Sequence, residues 1–475
     1  MDLEKYNVFF DGKGAKYIQI YNLIKKLIFE KKILPNEKLP SIRKLSSFLG
    51  VNSITIVKAY ELLESEGYIY KKSGSGSFVR EQKNNYGKIK IENHSNVYRL
   101  DTGNPSSDMF PIKDFKDAIN IALDEDSEDI FDYDEGNGVP NLKKAMVNYL
   151  SELGIKSSSD NLLIISGAQQ GIDIVCKTLV DYSDVVFIEE PTYYGALGVL
   201  KSRNAKLVSI PMLNDGIDIG ILKLKLERIR PKMLYVMPNF QNPTGISYSE
   251  TKKKKLIELA EEYDFYILED DFISDFKFQS NNNQTLKSYD IYDRVIYIKS
   301  FSKILMPGLR VGVLYIPPEL VNRALLSKYS SDISTSTLIQ KSLFYYMDRF
   351  EWKEHMKIVG DIYTEKFIFT KKYLKEKLDG KLKLIETAGG INFFLELRRG
   401  FFSSDFVNFI LDKGVAVQPG SIYYDNDIDD RFFRINIARE NIDRIKEAID
   451  IISDNIDTFY EKFSEIHSLN NDKLK

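Results

Sequence analysis

The sequence predicts an α/β chain of two folded parts: a small helical head closed by a hairpin, and a large body on a mostly parallel sheet. Three observations carry this expectation. Residues 1–80 contain three helix-forming stretches followed by two short β runs around a glycine-rich turn. From Leu162 onward, short apolar runs alternate with helical patterns. Between the two parts, residues 81–97 are polar and rich in asparagine and lysine, with no sustained period, and read as a flexible linker.

The head begins with Tyr17, Ile18, Tyr21, Ile24, Leu27 and Ile28 at helical spacing. Ser41 can cap a second, short helix that buries Ile42, Leu45 and Leu49, and Gly50 supplies the tight turn after it. Asn52 can cap a third helix with Ile56, Val57, Tyr60 and Leu63 facing inward. Two short helices across a glycine turn make a helix-turn-helix, whose second helix is presented to the DNA major groove. Gly67–Tyr70 and Ser77–Arg80 then read as a two-stranded wing around the basic, glycine-rich tip Lys71–Gly76. Charge agrees with a polyanionic partner. Residues 1–80 carry 14 Lys+Arg against 8 Asp+Glu, a balance of +6 in a chain whose net charge is -3.

These motifs, Leu39-Pro40-Ser41-x-Arg43, Ala59-Tyr60-x-x-Leu63-x-x-x-Gly67-Tyr68 and Gly74-Ser75-Gly76-Ser77-Phe78-Val79, resemble the winged helix of GntR-type transcription regulators. The resemblance implies double-stranded operator DNA as a partner and Arg43, Thr55, Lys58, Lys71 and Lys72 as DNA-contact residues. Two positions depart from it: Asn36 stands where the family has glycine, and Ser53 where the recognition helix often carries arginine. The operator sequence therefore does not transfer from relatives.

In the body the expected strands are Leu162–Ser166, Val185–Glu189, Lys206–Ile210, Met233–Met237, Phe265–Glu269 and Val295–Lys299. Ligands in such sheets bind beyond the carboxyl ends of the strands, and the chemistry-bearing residues fall there. The last strand runs into Ser300-Phe301-Ser302-Lys303, with Arg310 seven residues after the lysine. A lysine beside a cation and packed by apolar groups has a depressed pKa, so its neutral amine can form a Schiff base with an aldehyde. An arginine fork in the same turn can hold a phosphate. Aldehyde plus phosphate is pyridoxal phosphate. Ser166-Gly167-Ala168-Gln169 opens a helix whose N–H groups suit a phosphate. One tyrosine of Thr192-Tyr193-Tyr194 can stack on a flat ring. The Asn242 amide can donate to a phenolate oxygen, and a carboxylate of Glu269-Asp270-Asp271 can pair with a protonated pyridine nitrogen.

Together these elements make residues 98–455 resemble a fold-type I, class I aminotransferase, with a mostly parallel seven-stranded-type sheet and a small C-terminal α+β subdomain. The resemblance implies Lys303 as the Schiff-base lysine, Asp270 on the pyridine nitrogen and Asn242 on the ring 3-oxygen. It implies Tyr193 as the stacking ring, with Gly167, Ala168, Gln169, Ser300 and Arg310 on the phosphate. Tyr133, before Gly138 and Leu142, matches the tyrosine that reaches a phosphate across the dimer. Arg434, in Phe433–Ala438, matches the arginine that grips a substrate α-carboxylate, and Gly389–Phe394 fits the central strand of the small domain. Where relatives have a tyrosine that bonds the ring oxygen, this chain has Phe272. The pKa of the internal Schiff base is therefore expected to exceed that of tyrosine-bearing relatives.

A GntR-like head on an aminotransferase-like body is the arrangement of the MocR subgroup of regulators. The implied function is a transcription regulator that binds an operator and senses pyridoxal phosphate or its aldimine with an amino acid. Two alternatives remain open: a working aminotransferase, and a sensor of the cofactor alone that controls its synthesis or salvage. The resemblance implies a domain-swapped homodimer with an amino acid or amine effector. One cysteine, three scattered histidines and no apolar run near ~20 residues point to a cytoplasmic protein with neither disulfide, metal centre nor membrane span. Residues 456–475 read as a polar tail.

Overall fold

The computed structural model describes residues 3–8, 15–29, 32–34, 37–65, 68–72, 76–79, 97–126, 129–132, 136–279, 283–425 and 430–472. They form two compact units, Met1–Ser95 and Asn96–Lys475. No helix among them is long and apolar enough to cross a membrane.

The first unit is a three-helix cluster with a hairpin. Helix α1 (Lys16–Phe29) buries Tyr17, Ile20, Tyr21, Ile24, Leu27 and Ile28. At 100° per residue Ile20, not Ile18, falls on that stripe, and Ile18 faces outward. Helix α2 (Ile42–Leu49) starts where the Ser41 Oγ accepts from Lys44 N, and it ends at Gly50 with φ +62°. That left-handed turn is one that glycine adopts without steric cost. Helix α3 (Ser53–Ser65) is capped by Asn52, whose Oδ1 accepts from Ile54 N at 2.9 Å. Its Ile56, Tyr60 and Leu63 are buried, while Val57 is only half-buried. The Tyr60 hydroxyl donates to Pro40 O at 2.7 Å, locking α3 against the turn before α2. Strands β1 (Ile69–Lys72) and β2 (Gly76–Val79) pair antiparallel with Ile69 opposite Val79. Leu39 N donates to Ser77 O, so the segment before α2 adds a third rung to the wing. The tip residues 73–75 and Gly67 lie outside the described residues, as does the linker up to residue 96.

The second unit opens with β3 (Tyr98–Arg99), parallel to β14 (Val415–Ala416), which ties its start to the C-terminal part. Its main sheet contains β4 (Leu162–Ile165), β5 (Val185–Glu190), β6 (Lys206–Leu213), β7 (Gly216–Ile217), β8 (Met233–Val236), β9 (Tyr266–Asp271), β10 (Val295–Ser300) and β11 (Gly312–Tyr315). The order is β4-β11-β10-β9-β8-β5-β6-β7. All six expected strands are present, and β10, β9, β8, β5 and β6 run parallel in succession. Helices on both faces explain why β4, β8 and β10 are buried along their whole length.

Two strands add to the expected set. The two-residue β7 folds back on β6, and β11 inserts antiparallel between β10 and β4. β11 returns directly beside β10, with Gly312 opposite Ser300, so residues 301–311 form a loop closed at the end of the sheet. That loop carries both Lys303 and Arg310.

The smaller sheet has β12 (Lys383–Leu384), β13 (Asn392–Glu396), β16 (Phe432–Asn436) and β15 (Gln418–Pro419) in that order, all antiparallel. Its core is rich in aromatics, with Phe394 stacked on Phe432 at 5.0 Å. The last helix runs Ile442–Asp472 and buries Ile456, Phe459 and Tyr460. The expected polar tail from residue 456 is therefore helix and core up to at least Tyr460. Of these three apolar side chains at helical spacing, Tyr460 docks on Phe401 and Phe459 on Phe406.

Candidate functional site

The parallel strands end on one side of the main sheet, and the predicted residues gather there. Arg310 has φ +52° and donates from Nη2 to Ser166 O at 2.8 Å, crossing from the β10–β11 loop to the end of β4. The guanidinium lies against Gly167, which caps the helix Ala168–Leu179 with φ +85°. A Cβ on Gly167 would sit 2.6 Å from Arg310 Nη2, so only glycine leaves the fork and the helix N-terminus in one anion-sized place. Gln169 Nε2 donates to Gly195 O at 2.9 Å and joins this corner to the Tyr193 loop. Ser300 is buried at the end of β10, and its Oγ accepts from Ser302 N.

Lys303 is mostly buried, and Tyr363 donates its hydroxyl to Lys303 O at 2.9 Å, fixing the turn. Desolvation, then the Arg434 and Arg310 charges, push its pKa down from 10.5 to about 8. Gly103 passes close by, since a Cβ there would lie 3.2 Å from Lys303 Nζ.

Of the three consecutive acids on β9, the neighbours single out Asp270. Glu269 accepts from Leu286 N and Lys287 N, both at 2.7 Å. Asp271 is occupied by Lys299 Nζ at 3.3 Å, Tyr297 OH at 2.5 Å and two backbone donors. Asp270 takes a hydrogen bond from Tyr235 OH at 2.7 Å. Burial raises its pKa to about 6, although the Tyr235 hydrogen bond works against the rise. A buried carboxylate of this kind gains by meeting a cation.

Asn242 and Arg434 meet directly. Arg434 is buried and donates Nη1 to Asn242 Oδ1 at 3.0 Å and Nη2 to Asp101 O at 2.6 Å. Arginine only donates, so the Asn242 carbonyl must face it and the Nδ2 donors point elsewhere. Among the described residues Arg434 Nε is buried without a partner, and so is the hydroxyl of Tyr423, whose ring centroid lies 5.5 Å from the guanidinium. A guanidinium and a neighbouring tyrosine, each with an orphaned polar atom in a buried place, mark a site for a polar ligand. Tyr193 lies next to Tyr194 at 5.0 Å, and Tyr194 reaches Tyr423 at 5.8 Å. Phe272 is buried. Tyr133 lies outside the described residues.

The structure thus brings Lys303, Arg310, Gly167, Asp270, Asn242 and Arg434 to one end of the sheet. Sequence reading missed Tyr235, Tyr423 and the Asp101 carbonyl. The pattern of Met233–Val236 as a buried strand held no sign that its tyrosine faces the acid of the next strand.

On the first unit, Arg43 and Lys72 are exposed and Thr55 is half-buried. Lys58 Nζ sits 5.7 Å over the Tyr17 ring, and Lys71 Nζ pairs with Glu64 at 2.6 Å. Exposed pairs of that kind contribute ~0–1 kcal/mol, so a phosphate can displace them.

The aminotransferase class I and II family matches residues 94–452, and the gntR family of bacterial regulatory proteins matches residues 16–79. The chain is similar to the uncharacterized HTH-type transcriptional regulator YcxD of Bacillus subtilis, 30% identical over 352 residues, covering 74% of this chain and 78% of that one. It is similar to the probable rhizopine catabolism regulatory protein MocR of Rhizobium meliloti, at 27% identity over 75% of this chain and 76% of that one. Among solved structures, a multiple substrate aminotransferase from Thermococcus profundus superposes with TM-score 0.74 at 28% identity, over 78% of this chain and 93% of the other.

The family implies pyridoxal phosphate, and the residues fit it. The Gly167–Arg310 corner suits its phosphate, the depressed Lys303 amine its aldehyde, and the buried Asp270 its ring nitrogen. When bound, the cofactor supplies an electrophilic carbon and an electron-accepting ring. The chain belongs to the aminotransferase class I and II family and, with its gntR-type head, to the MocR subgroup of transcription regulators, with pyridoxal phosphate as cofactor.

Proposed function

We propose that this regulator binds its operator through α2 and α3, and that an amino acid entering beside Lys303 alters that binding. The observation that carries the reading is Arg434: a buried guanidinium with an unpaired Nε, beside an unpaired tyrosine hydroxyl and the Lys303 amine. A carboxylate next to Arg434 satisfies Nε, while the ligand's amino group competes with Lys303 for the cofactor's aldehyde carbon. Phosphate contacts fall to Gly167, Ala168, Gln169, Ser300 and Arg310, the ring nitrogen to Asp270, and the ring oxygen to Asn242 Nδ2. Tyr193 covers the ring face, and Tyr133 of a second copy completes the phosphate site in a domain-swapped, cytoplasmic homodimer. Arg43, Thr55, Lys58, Lys71 and Lys72 face the DNA. An effector shifts operator affinity only by its differential affinity for two states, which amounts to ~1–3 kcal/mol in typical couplings.

The test follows cofactor absorbance and DNA binding in one titration. Cofactor-loaded protein is mixed with L-amino acids and their decarboxylated amines, with a duplex selected from a random library as DNA probe. Amino acids shift both signals and the matched amines do so more weakly; Arg434→Gln removes the difference. Repeated turnover with a keto acid at enzyme-like rates would overturn the regulator reading. DNA affinity that follows the cofactor alone would favour a cofactor sensor.

A further inference from the structure

The outward surface at the start of α3 carries an apolar side chain where a DNA-binding helix meets base edges. Ile54 is 62% exposed, although it sits in the first turn of the helix. The two polar residues just before it are engaged within the unit. Ser53 Oγ is bonded to Ser46 Oγ at 3.2 Å and faces α2. Asn52 Oδ1 is used in capping the helix, and Lys58 Nζ leans over the Tyr17 ring. Ile56 is buried and Thr55 half-buried. An isolated exposed isoleucine needs no explanation on an ordinary surface. On the second helix of a helix-turn-helix the N-terminal residues are those that contact base edges in the major groove, and Ile54 is one of them. The apolar feature a base pair offers there is the thymine C5 methyl.

We infer that Ile54 is a specificity-determining residue that packs on the C5 methyl group of a thymine in the operator. The inference rests on the DNA-binding reading of residues 16–79. It also says what stands in for the long polar reader at a helix start occupied by Ser53: recognition at this position is apolar, and it distinguishes thymine from a base without the methyl.

The test uses the full-length, cofactor-loaded protein and duplexes selected from a random-sequence library. Each thymine of the selected site is replaced singly by deoxyuridine, which removes the methyl and leaves the Watson–Crick pairing. At one thymine position of each half-site the wild type loses about fourfold in affinity per methyl, the factor one buried CH2 group contributes. Ile54→Ala binds thymine and uracil duplexes alike, with the salt dependence of binding unchanged because no phosphate contact is removed. Ile54→Val, which keeps branched methyls, retains the thymine preference. Alanine is the better helix former at an exposed position, so the variant remains folded, as thermal unfolding will confirm. The inference is overturned if every deoxyuridine replacement affects wild type and Ile54→Ala equally, or if the variant selects the same site at the same affinity. A wild type that selects no sequence at all overturns the DNA-binding reading itself.

Discussion

The depressed pKa of Lys303 sets how the cofactor-free protein reacts with pyridoxal phosphate. Only the neutral amine attacks the aldehyde. With the pKa lowered to about 8, roughly a tenth of the lysine is neutral at pH 7, against ~3 in 10,000 for an ordinary lysine. The reactive fraction is thus about 300-fold larger than for a solvated lysine. Stopped-flow absorbance of cofactor-free protein mixed with pyridoxal phosphate should give a rate that rises with pH and levels off near the pKa of about 8. Desolvation is the first cause of the shift, with Arg434 second and Arg310 third. Arg434→Gln should therefore move the midpoint up while leaving it below the ordinary lysine value. A rate in the wild type that climbs without levelling up to pH ~10 would refute the reasoning, since the amine would then be solvated.

Four further outcomes follow from the same geometry. Gly167→Ala places a methyl 2.6 Å from Arg310 Nη2 at a left-handed backbone position, and should weaken cofactor affinity by about tenfold or more in a fluorescence titration. Phe272→Tyr adds a hydroxyl at a buried position implied to face the ring oxygen, and an absorbance titration should show the pKa of the visible chromophore falling. Arg43→Ala should weaken binding nearly uniformly across sequences and reduce the slope of log affinity against log salt by about one, if Arg43 lies on a phosphate. Truncation after Asn455 removes the buried Ile456, Phe459 and Tyr460, each contributing about 1.5–3 kcal/mol, and should lower the thermal unfolding temperature of the body markedly.

Much of the fold was legible because it rests on local rules. Ser41, Gly50 and Asn52 act as caps through their own backbone and side-chain atoms, so the helix-turn-helix could be read residue by residue. Strands β4, β8 and β10 are legible as apolar runs because both of their faces are covered. β11 is not legible because it is only four residues long, follows the lysine loop directly, and becomes a strand by pairing with β10 and β4. The tail from residue 456 looks polar because Ile456, Phe459 and Tyr460 are spread among acids and lysines, and the docking of Tyr460 on Phe401 and Phe459 on Phe406 shows which face is buried.

The site divides along the same line. By itself the sequence determined the residue types and their order: a lysine after one strand, an acid at the end of another, an asparagine before proline, an arginine near the C-terminus. Those follow from chemistry that few side chains can do. Tertiary structure decided which groups are free to act. Asp270 is set apart from Glu269 and Asp271 by partners on other segments, Tyr235 and Lys299 among them. The Arg434 fork is turned by Asn242 and the Asp101 carbonyl, leaving Nε unpaired beside Tyr423. These contacts join residues up to 333 positions apart, and neither a period nor a spacing encodes a hydrogen bond closed over that distance.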